Sequence, residues 1–411
     1  MNWLGLSKNK KLPQGSLTAK AWAALLRNKS VVACLWAVII ASFVAVTGYL
    51  ITPDSSPFAN EQHLEIAARK PGFSTMMLKM RNNEHPVRQS WIKTLAFGKK
   101  QDYTFVPINN YHFENNRIIV SFSDESQASG NLNYTYSIPD VLYALTDTAT
   151  YSSNHIQLID IEGNKISSTT EEMQKTIKED YIVTRHYLLG TDRFGRDVLS
   201  QLMIGTRVSL SVGFISVLIS LIFGILLGAL AGFFRGWVDD LIIWFINVIW
   251  SIPTLLLVIA ITFALGKGFW QVFIAVGLTM WVEVARIVRG QIISLREKEF
   301  VEAARALGYR NFRIIMRHIL PNTMGPVIVI SAGNFASAIL IEAGLSFLGI
   351  GVQPPMPSWG TMVKENYAYI ILDNPWLALM PGIAIMLLVL SFMIIGNGLR
   401  DALDVKANAI F

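Results

Sequence analysis

Long uncharged apolar runs separated by polar segments dominate the chain and predict membrane-spanning helices. A helix needs about 20 apolar residues to cross the hydrocarbon layer of a bilayer. Runs of this kind occur at 31–51, 208–234, 241–266, 268–282, 319–341 and 374–399. The fourth run is short, but it can be extended past Glu283. The pattern therefore predicts an all-α polytopic membrane protein with six transmembrane helices.

The polar segment 52–185, between the first two spans, is too long for a connecting loop and long enough to fold as a small domain. Runs rich in β-branched and aromatic residues predict strands in it, and three other runs are typical of short helices. The strands are expected at 103–108, 117–122, 156–161 and 181–187, and the helices at 61–69, 86–97 and 171–179. We therefore expect a small α+β extracytoplasmic domain inserted between transmembrane helices 1 and 2.

The distribution of Lys and Arg predicts the orientation of the spans, because cytoplasmic loops are enriched in these residues. With the N-terminus inside, most basic residues outside the insert fall on the cytoplasmic side, and the short outside loops carry only Lys267 and Lys364. This predicts cytoplasmic tails at 1–30 and 406–411 and places residues 52–207 outside. The first span is too long for the core of a signal peptide, which has about 7–15 residues. We therefore expect it to be a retained anchor.

Composition and the absence of known motifs exclude several classes of protein. Only 16% of the residues are charged, against about 25% in soluble domains, and this excludes a purely soluble protein. The net charge of +6 lies mainly on the predicted cytoplasmic side, so it reflects topology and does not indicate a nucleic-acid partner. The one cysteine, Cys34, excludes an internal disulfide and a cysteine zinc site. The sequence has no P-loop, metal-ligand spacing or catalytic constellation, so nothing predicts an enzyme.

The loop 284–322 is the most informative segment of the sequence. Its Glu-Ala-Ala run at 302–304 favours a helix, and the small alanines allow another surface to approach closely. Gly308 suits the positive φ that ends a helix, and Pro321 suits the first turn of the next helix. A short amphipathic helix at a membrane exit fits the groove of a partner protein. The residues alone equally permit a basic loop that serves only to orient the spans.

This loop resembles the EAA loop of ABC-importer permeases, which has Glu-Ala-Ala, three residues, Gly, nine residues and then Ile-x-Leu-Pro. The matching residues are Glu302, Ala303, Ala304, Gly308, Leu320 and Pro321. His318 stands at the isoleucine position and departs from the pattern. In that family the loop docks a coupling helix on the ATPase subunit. The resemblance therefore places residues 302–308 at this contact, with Arg305 and Arg310 facing acidic residues of the ATPase.

Further motifs are similar to those of dipeptide and oligopeptide permeases of the C type. They lie at 189–200, 205–210, 232–239, 342–355, 357–360 and 398–404. The first of them contains an extracytoplasmic motif with Gly190, Thr191, Asp192, Gly195, Arg196 and Asp197. The resemblance covers about 186–405, which we assign as the permease domain, together with the first span. It does not cover the insert 52–185, and Val405 stands where a proline often follows.

The resemblance implies a permease subunit in a bacterial cytoplasmic (inner) membrane. A second, B-type permease would complete the pathway for di- and oligopeptides, and an extracytoplasmic binding protein would deliver them. Two separate ATPase subunits would bind ATP and Mg²⁺ and hydrolyse the ATP, so this chain would be a transport subunit that binds no cofactor. The insert is well placed to help dock the binding protein.

Three other features have alternative interpretations. Glu342 lies in the fifth span, where placing an acidic side chain costs free energy, so such a residue indicates a functional role. Glu342 also suits a structural contact to a backbone amide or an arginine. Pro253 is expected to kink the third span, for packing or for gating. Asp192, Arg196 and Asp197 are expected to form an ion network at the outer surface, which we interpret as structural.

Other functions stay open on the sequence alone. Related C-type permeases also serve nickel complexes and antimicrobial peptides. A secondary carrier would need inverted repeats and membrane acids that form an ion path, but only Glu283 and Glu342 qualify and we find no repeat. A membrane-anchored sensing protein would use the insert as its working part, and it would leave five spans unexplained.

Overall fold

The structure, a computed structural model, describes residues 17–85, 89–122, 132–146, 150–152, 155–266, 268–372 and 374–403. The helices, in chain order, are α1 (Leu17–Arg27), α2 (Lys29–Ile51), α3 (Trp91–Phe97), α4 (Ile138–Leu142), α5 (Thr170–Thr176), α6 (Val198–Phe234), α7 (Trp237–Trp250), α8 (Thr254–Leu265), α9 (Phe269–Arg296), α10 (Glu299–Ala306), α11 (Asn311–Ile314), α12 (Leu320–Phe347), α13 (Trp359–Asn366) and α14 (Trp376–Leu403). The strands are β1 (Phe73–Arg81), β2 (Tyr103–Ile108), β3 (Asn110–Glu114), β4 (Arg117–Phe122), β5 (Leu132–Ser137), β6 (Thr150–Ser152), β7 (His155–Ile159), β8 (Lys165–Thr169) and β9 (Ile182–Tyr187). The predicted C-terminal tail 406–411 and residues 1–16 of the N-terminal tail lie outside the described residues.

Among the described residues, five helical segments are long and apolar enough to cross a membrane. They are α2, α6, α9, α14 and the stretch Asn311–Phe347, in which a short π-helical turn joins α11 to α12. Each of them overlaps one of the six predicted spans. The chain is therefore a mostly helical membrane protein with a small region of sheet, as the apolar runs predicted.

The predicted third span, 241–266, is not one uninterrupted helix. α7 and α8 are separated by a break at residues 251–253 and are bent by 95° relative to each other. Pro253 explains the break, because proline has no N–H for the helical ladder and its ring clashes with the preceding turn. The two helices count as a sixth span only if the bent pair crosses the membrane together. The break lies at Pro253, the residue that was expected to kink this span, and the bend divides the predicted span into two helices.

Two other helices run past charged residues that limited the predicted spans. α6 begins at Val198, well before the predicted start at 208, and α9 continues through Glu283 to Arg296. Backbone hydrogen bonds hold a helix together whatever the polarity of one side chain. Residues 198–207, which were predicted to belong to the outside segment, are therefore part of α6.

The helical part of the protein is centred on α6 and α9, and α12 packs against both. Glycines on α6 allow the two helices to approach closely. A Cβ added at Gly228 would lie 2.5 Å from the carbonyl oxygen of Ala285, and one added at Gly224 would lie 2.5 Å from Cβ of Val284. Small residues at helix contacts are typical of membrane proteins, so the spacing between α6 and α9 depends on these glycines.

Within the described residues, the insert contains three antiparallel three-stranded sheets, ordered β2-β1-β9, β3-β4-β5 and β6-β7-β8. One buried core joins the sheets, with Leu78, Ile108, Ile118, Val120, Ile138 and Ile156 among its members. β2 and β4 have the predicted bounds, and β7 and β9 overlap the predicted strands. The insert is therefore built from both strands and helices around a core of its own.

The predicted helices of the insert agree less well with the structure. The helix predicted at 171–179 forms as α5 and a π-helical turn, and the one predicted at 86–97 forms only as α3, with residues 86–88 outside the described part of the chain. At 61–69 only the 3-10 turn Leu64–Ile66 forms, so that prediction was wrong. Backbone N–H groups of this segment donate instead to the loop that precedes α6.

Candidate functional site

The loop between α9 and α12 forms a short helix, a glycine turn and a second short helix. At the end of α10, the N–H of Tyr309 donates to the carbonyl of Ala304 at 3.1 Å, and the N–H of Gly308 donates to the carbonyl of Arg305 at 2.9 Å. Gly308 has a φ of +75°, the left-handed conformation that this helix-ending motif needs and that glycine adopts without strain. The motif glycine therefore ends α10.

α10 has one buried face and one exposed face. Val301 and Ala304 are buried in a cluster with apolar residues of α6, α9 and α12. Glu302, Ala303 and Arg305 are exposed. Because the buried face attaches α10 to the membrane helices, the exposed face of the Glu-Ala-Ala motif is held in a defined orientation.

Large apolar side chains are exposed beside this motif. Leu307 is 72% exposed and Phe312 is 75% exposed, and exposed apolar groups of this size are typical of surfaces that another protein covers. We use the term loop surface for the exposed residues Glu302, Ala303, Arg305, Leu307, Gly308 and Phe312. The loop surface combines apolar side chains with one acidic and one basic group, so it can make both apolar and charged contacts.

The end of the loop motif leads directly into α12. Pro321 lies in the first turn of α12, directly after the π-helical turn Ile315–Ile319. Leu320 packs against the same buried cluster as α10. His318, which departs from the isoleucine of the motif, stacks on Tyr309 with ring centroids 5.8 Å apart and an interplanar angle of 20°. A stacked ring thus fills the position that the motif gives to an aliphatic side chain.

The motif at 190–197 forms a tight loop before α6, directly against residues 61–69, which we call the base of the insert. Gly190 and Gly195 have φ values of +77° and +72°. A Cβ added at Gly190 would lie 2.2 Å from the carbonyl oxygen of Arg69, and one at Gly195 would lie 1.7 Å from the carbonyl oxygen of His63. Both positions therefore require glycine for two reasons, the backbone conformation and the close approach of a second segment.

Thr191 and Asp192 join this loop to the base of the insert through hydrogen bonds. The Thr191 hydroxyl donates to the carbonyl of Ile66 and accepts from the N–H of Arg69 at 3.0 Å. The carbonyl of Asp192 accepts from the N–H of Ala68 at 2.8 Å. These bonds satisfy backbone groups that a helix at 61–69 would have used, which explains why that helix does not form.

Arg196 connects a buried acid, Asp192, to a half-buried one, Glu365. Its Nε donates to Oδ2 of Asp192 at 2.6 Å, and its Nη2 donates to Oε2 of Glu365, on α13, at 2.6 Å. The side chains of Arg196, Asp192 and Glu365 are only 7%, 2% and 12% exposed. The structure thus brings Asp192 and Arg196 together, and it adds Glu365, which sequence reasoning missed because it is distant in the chain.

Asp197 has a different role from its neighbours. Its Oδ2 accepts from the N–H of Ser200 at 2.9 Å and so caps the first turn of α6, a position that favours aspartate. Burial raises the pKa of Asp197, although its hydrogen bonds with Ser200 act in the opposite direction. Asp197 therefore starts the helix and is not a member of the Arg196 ion network.

Arg207 is a structural residue that sequence reasoning missed. Its Nε and Nη1 donate to the carbonyls of Ala45 and Ala96 at 2.8 and 2.7 Å, and its Nη2 donates to those of Val46 and Leu95 at 3.1 and 2.9 Å. These carbonyls belong to α2 and α3, so Arg207 joins α6 both to the first span and to the insert. The available signal was an arginine that directly precedes an apolar run.

The two intramembrane candidates have local structural partners. Glu342 is completely buried in α12, and its Oε1 accepts from Oγ of Ser346 at 2.6 Å. Ser346 Oγ in turn accepts from the N–H of Val352 at 3.2 Å. Glu342 therefore supports the chain reversal after α12, but its partner is a serine hydroxyl and not the backbone amide or arginine that the structural interpretation expected. Pro253 begins α8 at the break described above.

Glu61, at the base of the insert, is part of a second charged cluster. Nη1 of Arg185 donates to Oε2 of Glu61 at 2.8 Å, and Nε2 of His63 lies 3.3 Å from Oε1. Burial of Glu61 acts to raise its pKa, but the close contact with His63 and the charge of Arg185 outweigh it and lower the pKa below its ordinary value of 4.5. The ionised form of Glu61 thus stabilises the folded insert.

We predict that Glu61→Gln destabilises the protein in a pH-dependent manner. Because the pKa of Glu61 is lower in the folded state, its contribution is fully present above the unfolded value and is lost as the pH falls through the folded value. The gap in melting temperature between the wild type and Glu61→Gln should be largest near about pH 6 and should shrink below about pH 4. Glu171→Gln, which removes an exposed carboxylate of α5, is the control. A gap that stays constant over this range would contradict the prediction.

The sequence is similar to that of known transport proteins. Residues 224–406 match the family described as binding-protein-dependent transport system inner membrane component. The dipeptide transport system permease protein DppC of Alkalihalophilus pseudofirmus is 47% identical over 217 residues, which are 53% of this chain and 71% of that protein. The glutathione transport system permease protein GsiD of Pectobacterium atrosepticum is 41% identical over 53% of this chain and 72% of its own length. The oligopeptide transport system permease protein OppC of Bacillus subtilis is 36% identical over 54% of this chain and 73% of its own length.

Proposed function

This chain belongs to the family of binding-protein-dependent transport system inner membrane components, the permease subunits of ABC importers, and we propose that it forms one half of a pathway for peptides. A second, B-type permease supplies the other half. A binding protein delivers the peptide from outside, and two ATPase subunits bind ATP and Mg²⁺ and hydrolyse the ATP inside. Both termini of this chain are cytoplasmic in this proposal.

Di- and oligopeptides are the proposed substrates. The relatives are named for dipeptides, glutathione and oligopeptides, which share a peptide backbone and small size. Their names support peptides over the nickel complexes that the resemblance also allowed. The family also favours a pathway driven by separate ATPase subunits over a self-contained secondary carrier.

The loop surface is the observation that carries the proposed coupling to the ATPase. Its helix is fixed on the membrane helices by Val301 and Ala304, while Leu307 and Phe312 are exposed. Burying one large apolar side chain in a partner stabilises the complex by about 1.5–3 kcal/mol. When the ATPase pair closes, a helix attached in this way transmits the motion to α9 and α12 as a rigid body.

The test is a pull-down from native membranes with a tag on the C-terminus, comparing the wild type with Gly308→Asp. Aspartate at φ +75° costs at most about 1–2 kcal/mol in backbone strain, and it adds a charge to the loop surface. We expect at least about tenfold less ATPase subunit with the variant, and equal amounts of the second permease. Gly163→Asp is the matched control, because Gly163 has a φ of +85° and open space around it but lies in the insert.

Two outcomes would contradict the proposal. If Gly308→Asp retains the ATPase subunits as well as Gly163→Asp does, the loop surface is not the contact. If the stable wild-type protein is recovered without any ATPase and still moves peptide without ATP, the protein is a secondary carrier.

A further inference from the structure

α9 carries an acid on a face that the rest of the chain leaves uncovered. Between residues 275 and 289, all of them described, Glu283 is the one exposed residue, and the others are buried or half-buried. Glu283 lies about 21 Å along the helix from Phe269 at 1.5 Å per residue, so a span that begins at Phe269 would hold Glu283 within a hydrocarbon layer about 30 Å thick. An ionisable group at this depth does not face lipid, but instead faces a bundle interior or a water-filled cavity.

Glu283 lines a cavity of about 310 Å³ at the bend between α7 and α8. The wall is formed by α7, α8, α9 and α12, and its polar members besides Glu283 are Thr254, Thr279 and Ser337. Trp250 and other apolar side chains form the rest of the cavity wall. A small volume, apolar walls and a few polar groups are the usual composition of a small-molecule site.

The carboxylate of Glu283 has no partner within the part of the chain that the structure describes. The nearest basic residue along the helix, Arg286, contacts residues of α7 and not Glu283. Its guanidinium carbon lies 3.5 Å from the centroid of the Trp250 ring, and its Nη2 donates to Oδ1 of Asn247 at 3.1 Å. Asp239 similarly occupies Arg289, through Nε at 2.5 Å and Nη2 at 2.8 Å. The neighbouring arginines are therefore fixed on α7, and Glu283 is left to bind a cation from outside this chain.

We propose that this cavity is a transient peptide site in the pathway and that Glu283 binds the α-ammonium group of the peptide. The inference rests on the proposed function, which supplies peptide as the substrate. An ammonium group is a cation small enough for a cavity of this volume, and every unmodified peptide carries one whatever its side chains. The apolar wall around Trp250 can accept different side chains, because apolar contact is not directional. The site therefore recognises the invariant end of the peptide and tolerates variation elsewhere.

The test uses the complete complex in nanodiscs without the binding protein, and it measures binding of radiolabelled Ala-Phe and N-acetyl-Ala-Phe by equilibrium dialysis. Acetylation removes the positive charge and leaves the rest of the peptide unchanged. We expect the wild type to bind Ala-Phe at least about tenfold more tightly than the acetylated peptide. Glu283→Gln should abolish this preference, and Glu283→Asp should retain part of it. Glu114→Gln, an exposed acid of the insert, should leave the preference unchanged.

The outcomes separate this site from the proposed function. If the wild type imports Ala-Phe but binds both peptides equally, or if Glu283→Gln keeps the preference, the ammonium site is wrong and the importer stands. If Glu283→Gln loses the second permease on gel filtration, Glu283 is a subunit contact and the site is likewise wrong. If the reconstituted wild type, supplied with its binding protein and ATP, imports no di- or oligopeptide, the proposed function fails and the peptide site fails with it.

Discussion

Replacing Gly195 by alanine should separate the base of the insert from the loop that precedes α6. The new Cβ would lie 1.7 Å from the carbonyl oxygen of His63 and 2.5 Å from its carbonyl carbon. Both are backbone atoms, so no side chain can rotate away, and the two segments must move apart. That movement would break the hydrogen bond from the N–H of His63 to the carbonyl of Phe194, which is 3.0 Å long. It would also disturb the adjacent Arg196 network.

The expected loss exceeds about 4 kcal/mol, which is exceptional for a single substitution. Limited proteolysis of right-side-out vesicles should show faster cleavage of the insert, and peptide uptake should fall at least about tenfold. Gly163→Ala isolates the backbone strain. Gly163 has a φ of +85°, and a Cβ there would meet no described atom within 4 Å, so the loss should be only about 1–2 kcal/mol. Equal proteolysis of Gly195→Ala and Gly163→Ala would show that the close approach does not matter.

Local patterns predicted the elements that depend on local sequence. β2 and β4 were predicted with the bounds that they have, because their residues are rich in β-branched and aromatic side chains. β1 was missed although it is the central strand of its sheet. Its sequence contains Met-Met-Leu-Lys-Met, and unbranched side chains do not indicate a strand. The pairing of β1 with β2 and β9 decides its structure, and pairing across the chain is not visible in a local pattern.

In the candidate site, too, local patterns predicted only the features that depend on adjacent residues. The loop motif predicted the helix end at Gly308, because a helix-ending turn is determined by a few adjacent residues. The partners of Arg196 and Arg207 could not be predicted in this way. Arg196 contacts Glu365 across 169 residues of sequence, and Arg207 contacts Ala45 across 162. The exposure of Glu283 could likewise not be predicted, because it depends on which face of α9 the other helices cover.

Removing Arg196 should destabilise the protein far more than removing Arg193, although both contact Glu365. Nη2 of Arg196 lies 2.6 Å from Oε2 of Glu365, whereas Nη2 of Arg193 lies 3.5 Å from Oε1 and its side chain is 41% exposed. Arg196→Ala would leave the carboxylates of Asp192 and Glu365 buried without their shared cation, at a cost of about 3–5 kcal/mol. Arg193→Ala should cost at most about 1 kcal/mol, as exposed pairs do.

Thermal unfolding of the purified complex in nanodiscs measures both effects. Arg196→Lys should restore little stability, because an ammonium group cannot reproduce the forked contacts of a guanidinium to two acids. Arg196→Ala combined with Asp192→Asn should be less destabilised than Arg196→Ala alone, since the double variant leaves one buried charge fewer without a partner. This recovery distinguishes an unpaired charge from a simple loss of packing. If Arg196→Ala and Arg193→Ala lower the melting temperature equally, the buried network does not hold α13 to the loop before α6.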